Sequence, residues 1–169
     1  MLSIKQMPDN ARVWVFQSTN ALSDEEVSTI QKAGIDFITN WTAHGASLKA
    51  SFDILYNRFI IISVDEQQAL ASGCSIDKSV HFIKNLETQF HLNLFDRMQV
   101  AYRTGNEIKA CHLNNLRDEL LHSMVPNMTN KEALGEVIVF NNMVTTKKEF
   151  ENSWETSLKK SWQSRILTT

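Results

Sequence analysis

Phe59, Ile60, Ile61, Ile62 and Val64 make the run that most restricts the fold of this chain. A half-exposed strand alternates apolar and polar residues, and this run is apolar on both faces, so it predicts a central strand rather than an edge strand. Its neighbours are legible on either side. The segment "LKASFDILYNRFIIISVD" reads as two strands, about 48–56 and 58–65, joined tightly at Asn57, whose side chain tolerates left-handed backbone angles. Upstream, "ARVWVFQS" alternates Val13 and Val15 against Trp14 and Phe16, which predicts a strand at about 12–17, again covered on both faces.

Helices are announced by their caps. In "LSDEEV", Ser23 is the N-cap, Glu26 completes a capping box, and Leu22 with Val27 forms the hydrophobic staple. Asp24, Glu25 and Glu26 suit the positive end of the helix. From Val27 an apolar stripe through Ile30, Gly34, Phe37, Ile38 and Trp41 runs to a stop near His44 and Gly45. A second helix, about 76–90, buries Ile76, Val80, Ile83, Leu86 and Phe90, with Ser75 as its N-cap and Asp77 as the alternative. "RMQVAYRTGNEIKACHL" predicts a hairpin of strands 97–103 and 107–112, residues 114–123 a short helix, and "VPNMTN" its exit. "EVIVFN" is a last strand. "TTKKEF" supplies a second capping box, Thr146 with Glu149, ahead of a terminal helix whose Phe150, Trp154, Leu158, Trp162 and Ile166 recur every four residues. The residues beyond about 160 are expected to fray.

The first six elements run β-α-β-β-α-β, the order of a ferredoxin-like fold. The expectation is an α+β protein, helices packed on a mostly antiparallel sheet, with a core at about 11–112 and an extension of strand, helix, strand and helix at about 113–169. A chain of 169 residues suits one domain and buries about two-thirds of its unfolded surface without a staple.

Charge narrows the partners. Seventeen basic and nineteen acidic residues are interspersed, for a formal net charge of −2, so no field of one sign draws nucleic acid or a membrane surface. Lys147-Lys148 and Lys159-Lys160 read as solvated helix faces. The first residues lack the apolar core of a secretory signal, and no stretch reaches the length of a membrane span, which predicts a cytosolic address. Cys74 and Cys111 lie 37 positions apart without a CxxC, so both are expected as free thiols.

A phosphate loop needs clustered glycines, followed by Lys and Ser or Thr. Gly34, Gly45, Gly73, Gly105 and Gly135 are never closer than 11 positions, which excludes a Walker-type ATPase and a dinucleotide-binding turn. "ASGCS" has only a faint likeness to the signature loop of transporter ATPases. His44, His81, His91, His112 and His122 form no pair at metal-ligand spacing, and no metal or cofactor is expected.

The candidate chemistry centres on Cys74. A thiol just before a helix lies in the field of unsatisfied amides that stabilises a thiolate, and His44 is the candidate base. The simpler reading makes Cys74 a small buried residue and His44 a polar helix cap. A third makes the start of the helix, Gly73, Ser75, Ile76 and Asp77, an anion-binding site built from backbone amides. Arg58 and Asp65, near opposite ends of the apolar strand, either pair with neighbours or line a cleft, with salt-bridging favoured. Asp96 and Arg97 in "LFDRM" carry the same reading. The four tryptophans fall on apolar stripes and suit packing or partner docking better than base stacking.

Together "RVWVFQS", "NWTAHGASLKASFDILYNRFIIISVDE", "ASGCSIDKSVHFIKNLE", "LFDRMQVAY" and "VFNNMVTTKKEFENSW" resemble a small family of bacterial cytosolic proteins carried under the label "ABC transporter ATPase". The likeness spans nearly the whole chain and carries over no catalytic residues. The label conflicts with the residues themselves: there is no phosphate loop, no complete signature motif, and too short a chain for a transporter nucleotide-binding domain. The expectation is a non-enzymatic module that binds a small ligand, a protein partner or a second copy of the chain. The alternatives are a transferase or hydrolase using Cys74 and His44, and a binder of anions or phosphate esters at residues 73–77.

Overall fold

The computed structural model describes residues 2–67, 69–123 and 131–167; the predicted exit "VPNMTN", residues 125–130, lies outside them. In chain order the elements are β1 Arg12–Gln17, α1 Asp24–Thr39, β2 Thr42–Ala43, β3 Ala46–Ser47, β4 Lys49–Leu55, β5 Phe59–Asp65, α2 Gly73–Phe90, β6 Gln99–Thr104, β7 Glu107–His112, α3 Leu116–Ser123, α4 Lys131–Glu136, β8 Ile138–Phe140, α5 Lys147–Ser153 and β9 Glu155–Ser157. The protein is α+β with antiparallel sheets.

Every residue of β5 is buried, and the strand is central, in a sheet of order β1-β5-β4. Both pairings are antiparallel, with Val15 opposite Ile61 and Ile61 opposite Asp53. One face of this sheet, carrying Phe16, Phe52, Ile60 and Ile62, packs against Ile30 and Ile38 of α1 and Ile83 and Leu86 of α2. Helix α1 comes so close to β4 that a Cβ on Gly34 would lie 2.2 Å from the ring of Phe52, which is why glycine interrupts the apolar stripe there.

The other face of β5 is covered by a second sheet, of order β7-β6-β8-β9. Val13, Val15, Phe59 and Ile61 from the first sheet meet Ala101 and Phe140 from the second, with Phe150 and Trp154 filling the same layer. The far face of the second sheet carries Val100, Tyr102 and Val139 and is covered by Leu116 and Leu120 of α3, Leu134 of α4, and Leu158. The layers therefore run helices, sheet, sheet, helices, two sheet sandwiches sharing one apolar seam. Each fully buried Phe or Ile in that seam contributes about 2 kcal/mol of transfer free energy.

Several expectations are corrected. The ferredoxin-like sheet does not assemble around β1: the fourth strand of the predicted string, β6, pairs with β7 and β8 instead, because its Ala101 face belongs to the seam between the sheets. Residues of the C-terminal extension share the core: Phe140, Phe150 and Trp154 complete that seam. Helix α1 ends at Thr39, not near His44. His44 (φ 50°) and Gly45 (φ 80°) form the turn of the β2–β3 ribbon, a two-residue hairpin loop that requires positive φ at both positions. The N-cap of α2 is Ser72, whose hydroxyl accepts from the Ser75 amide, so Ser75 sits inside the first turn.

The terminal helix is also shorter than its four-residue stripe suggests. The box of Thr146 and Glu149 forms as expected, but α5 stops at Ser153 and β9 follows, closing the free edge of β8. Phe150, Trp154 and Leu158 are buried in the protein itself, which leaves Trp162 as the exposed member of the stripe's aromatics. Lys147, read as solvated, is buried and pairs with Asp9 and Glu151. Residues 162–167 form a 3-10 helix.

Candidate functional site

Cys74 and His44 are both exposed, the first in the opening turn of α2 and the second at the tip of the β2–β3 ribbon. Among the described residues no hydrogen bond joins them. The ribbon is tied to the helix start lower down, by the Trp41 indole N–H donating to the Ser75 carbonyl at 2.8 Å. Two amides that an anion at residues 73–77 would use are already engaged: Ser75 N–H by the Ser72 hydroxyl at 3.2 Å and Ile76 N–H by the Ser72 carbonyl at 2.9 Å. Gly73 and Asp77 are exposed.

Arg58 forms no salt bridge among the described residues. Its buried guanidinium donates to the carbonyls of Ser18, Thr19 and Ile108 and clamps the two sheets together; burial pulls its pKa below the usual arginine range. Asp65 is buried and accepts from the Gln67 amide and from Lys49 Nζ, each at 3.1 Å. The Gln67 hydrogen bond, aided by Lys49, holds its carboxyl below the ordinary carboxylate value. Among the described residues no group of three His, Cys, Asp or Glu side chains converges as a metal site, and no helix is long and apolar enough to cross a membrane.

A different set of residues converges where the end of β1 meets the second sheet. Three connecting segments build it. After α2, Glu87 Oε1 accepts the amides of Leu94 and Phe95, and Asp96 Oδ1 accepts the amide of Met98, so the segment turns with Leu94, Asp96 and Arg97 on one side. After β8, Asn141 N–H donates to the Trp154 carbonyl, and Asn141 Oδ1 accepts the Met143 amide, fixing Asn142 beside Trp154. The 3-10 helix at 162–167 supplies Trp162 and Gln163.

Between these segments lies a cavity of about 20 Å3 lined by Gln17, Asp96, Asn142, Trp162 and Gln163 among others. It adjoins a shallow groove of about 500 Å3, and Val15, Arg97, Asn142 and Met143 line both. Met143 and Trp162 are two of the large apolar side chains that remain exposed, at 58% and 37%. Arg97 is exposed and has no ion pair among the described residues; its guanidinium donates to the Met143 sulfur at 4.0 Å. The salt bridge expected for Arg97 is therefore not made.

The cavity's polarity is fixed by groups that can play one role only. The Trp154 indole N–H can only donate, and it does so to Asn142 Oδ1 at 3.0 Å. Asn142 Nδ2 must then face outward, and it donates to Gln17 Oε1 at 2.7 Å. That leaves Gln17 Nε2, a donor, buried without a partner among the described residues. Gln163 is oriented independently: its Nε2 donates to the Phe140 carbonyl, which can only accept, at 3.4 Å. Its Oε1 is thereby left as a buried acceptor without a partner among the described residues. Gln17 is 6% exposed and Gln163 1%. An unpaired buried amide atom costs about 1–3 kcal/mol, so two on residues that line one small cavity are expensive to keep for packing alone.

Gln17, Asn142 and Gln163 carry no motif in the sequence, because neutral amides have none. One signal was present: Gln17 continues the inward-facing series Val13, Val15 on a strand predicted to be covered on both faces. No protein-family model, no curated protein and no solved structure matches the chain.

Proposed function

We propose that the protein is a non-enzymatic, cytosolic binding module that takes a small polar ligand in the cleft bounded by Gln17, Gln163 and Arg97. The observation that carries this reading is a small cavity lined by two buried glutamines, Gln17 and Gln163, each of which keeps one amide atom without a hydrogen-bond partner among the described residues. Ligand sites are typically concave, with a few placed polar groups among apolar walls. Exposed Met143 and Trp162 beside the cavity, and an uncompensated Arg97, fit that description. The free thiols Cys74 and Cys111 suit a reducing compartment.

The test is a titration with neutral alcohols, primary amides and carboxylates of fewer than about a dozen heavy atoms, followed by NMR of the glutamine side-chain NH2 signals. At least one class is expected to shift the signals of Gln17 and Gln163 in concert. Cys74→Ser is expected to leave those shifts unchanged, since Cys74 lies on another element. Signals that no compound moves would refute the reading, and a response abolished by Cys74→Ser would return the site to the start of α2.

A further inference from the structure

We infer that the groove along the outer edge of β1 takes an extended, acidic segment of a partner protein as an added strand. This is a second site beside the small-ligand cleft, and Arg97 is the charged side chain that lines both. The open edge follows from the hydrogen-bond ladder. Backbone groups of an antiparallel edge strand alternate between its partner and the free side. Val13 N–H donates to the free side, to the Thr145 carbonyl at 2.8 Å, and the Lys147 amide donates to the Ala11 carbonyl at 2.9 Å. The next rung would join the Thr145 amide to the Val13 carbonyl, but Glu149 Oε2 takes that amide at 2.7 Å. The capping box that starts α5 therefore turns the chain away from β1. By the same alternation the Val15 N–H and C=O point to the free side, and among the described residues neither they nor the Val13 carbonyl has a partner there.

The groove of about 500 Å3 runs along this edge, because Val13, Trp14 and Val15 all line it. The two valines are buried in the seam and Trp14 lies on the helix side of the sheet. Consecutive residues that face opposite ways have only the strand's edge in common. Such an edge is a template for pairing unless Lys, Pro or a covering element blocks it. The other edge of the sheet is covered, with Gln31 Nε2 of α1 donating to the Phe52 carbonyl of β4 at 3.1 Å. From Val13 to Gln17, β1 carries neither a charge nor a proline. Charge then selects the partner: Arg12 and Arg97 line the groove, and no acidic side chain does. Arg12 meets Glu66 at 3.9 Å, the long limit of an ion pair, and stacks over Trp14. A strand with apolar residues on the Val15 face and carboxylates on the Arg12 face fits both walls. Its main-chain bonds supply affinity, and its alternate side chains supply specificity.

The test is fluorescence anisotropy on the full chain with a labelled, end-blocked heptapeptide of alternating valine and glutamate, and with its lysine counterpart as control. The glutamate peptide is expected to bind about tenfold or more tightly than the lysine one, and less tightly as salt rises. Arg12→Glu and Arg97→Glu are each expected to weaken the glutamate peptide severalfold and to strengthen the lysine peptide, a reversal that lost folding would not produce. Because a strand points alternate amides to opposite sides, N-methylation of the valines or of the glutamates is expected to abolish binding in one set and spare it in the other. Hydrogen exchange at the Val15 amide is expected to slow in the complex. No binding at millimolar peptide, or equal tolerance of both methylated sets, would overturn the inference. Slowing of Val15 exchange with protein concentration alone would overturn it too, by giving the edge to a second copy of the chain. The small-ligand reading is read at the Gln17 and Gln163 side chains instead, so the two fail separately.

Discussion

The two thiols show how far position alone determines reactivity. Cys111 sits on β7 against the outer helices, and burial, with Glu119 nearby, pushes its pKa up to about 11. Below that pH it holds its proton, so little of the nucleophilic thiolate forms. Cys74 is exposed. Iodoacetamide at neutral pH is therefore expected to modify Cys74 well ahead of Cys111, with Cys111 gaining rapidly as pH approaches 11. Peptide mass mapping over a pH series measures both rates. Similar neutral rates would mean that the packing of the outer helices over Cys111 opens readily. The contrast follows from accessibility and desolvation, so fast labelling of Cys74 is no sign of catalysis. A catalytic role would show as a neutral-pH rate well above that of an ordinary exposed thiol, dependent on His44.

Elements were legible where their signals are local. The Ser23 and Glu26 box closes with both reciprocal bonds, Ser23 N–H to Glu26 Oε2 at 2.7 Å and Glu26 N–H to Ser23 Oγ at 3.2 Å. Ser23→Ala is expected to cost about 1 kcal/mol, read as a lower urea midpoint with an unchanged slope; an unchanged midpoint would mean that α1 is held by packing alone. Strand β9 was not legible, because "ETS" has weak strand character by itself and becomes a strand by closing the edge of β8. Glu155 on it joins Tyr56 and Arg103, residues far away in sequence. The candidate cleft was illegible for the same reason: Gln17, Asn142 and Gln163 come from three distant segments, and only the tertiary fold leaves one amide hydrogen and one amide oxygen unmatched.

At the scale of the whole molecule, the central layer decides whether the two sheets behave as one unit. Val13, Val15, Phe59 and Ile61 of the first sheet share their burial with Phe140, Phe150 and Trp154, and Arg58 reaches across to the Ile108 carbonyl of β7. Separating the sheets would expose both faces of that seam and strand a buried guanidinium, so neither half is expected to persist without the other. The tryptophans are placed to report this. Trp14 and Trp41 lie on the α1 and α2 side of the first sheet, Trp154 in the seam, and Trp162 beside the cleft. In protein labelled with 5-fluorotryptophan, the fluorine signals of Trp41 and Trp154 are expected to vanish at the same urea concentration, matching the far-ultraviolet circular dichroism midpoint. Trp162, on a short 3-10 helix, is expected to lose its native signal at or before that point. A Trp154 signal that disappears while Trp41 persists would show that the first sheet and its helices stand alone, and that the seam is an interface between two folding units rather than a shared core.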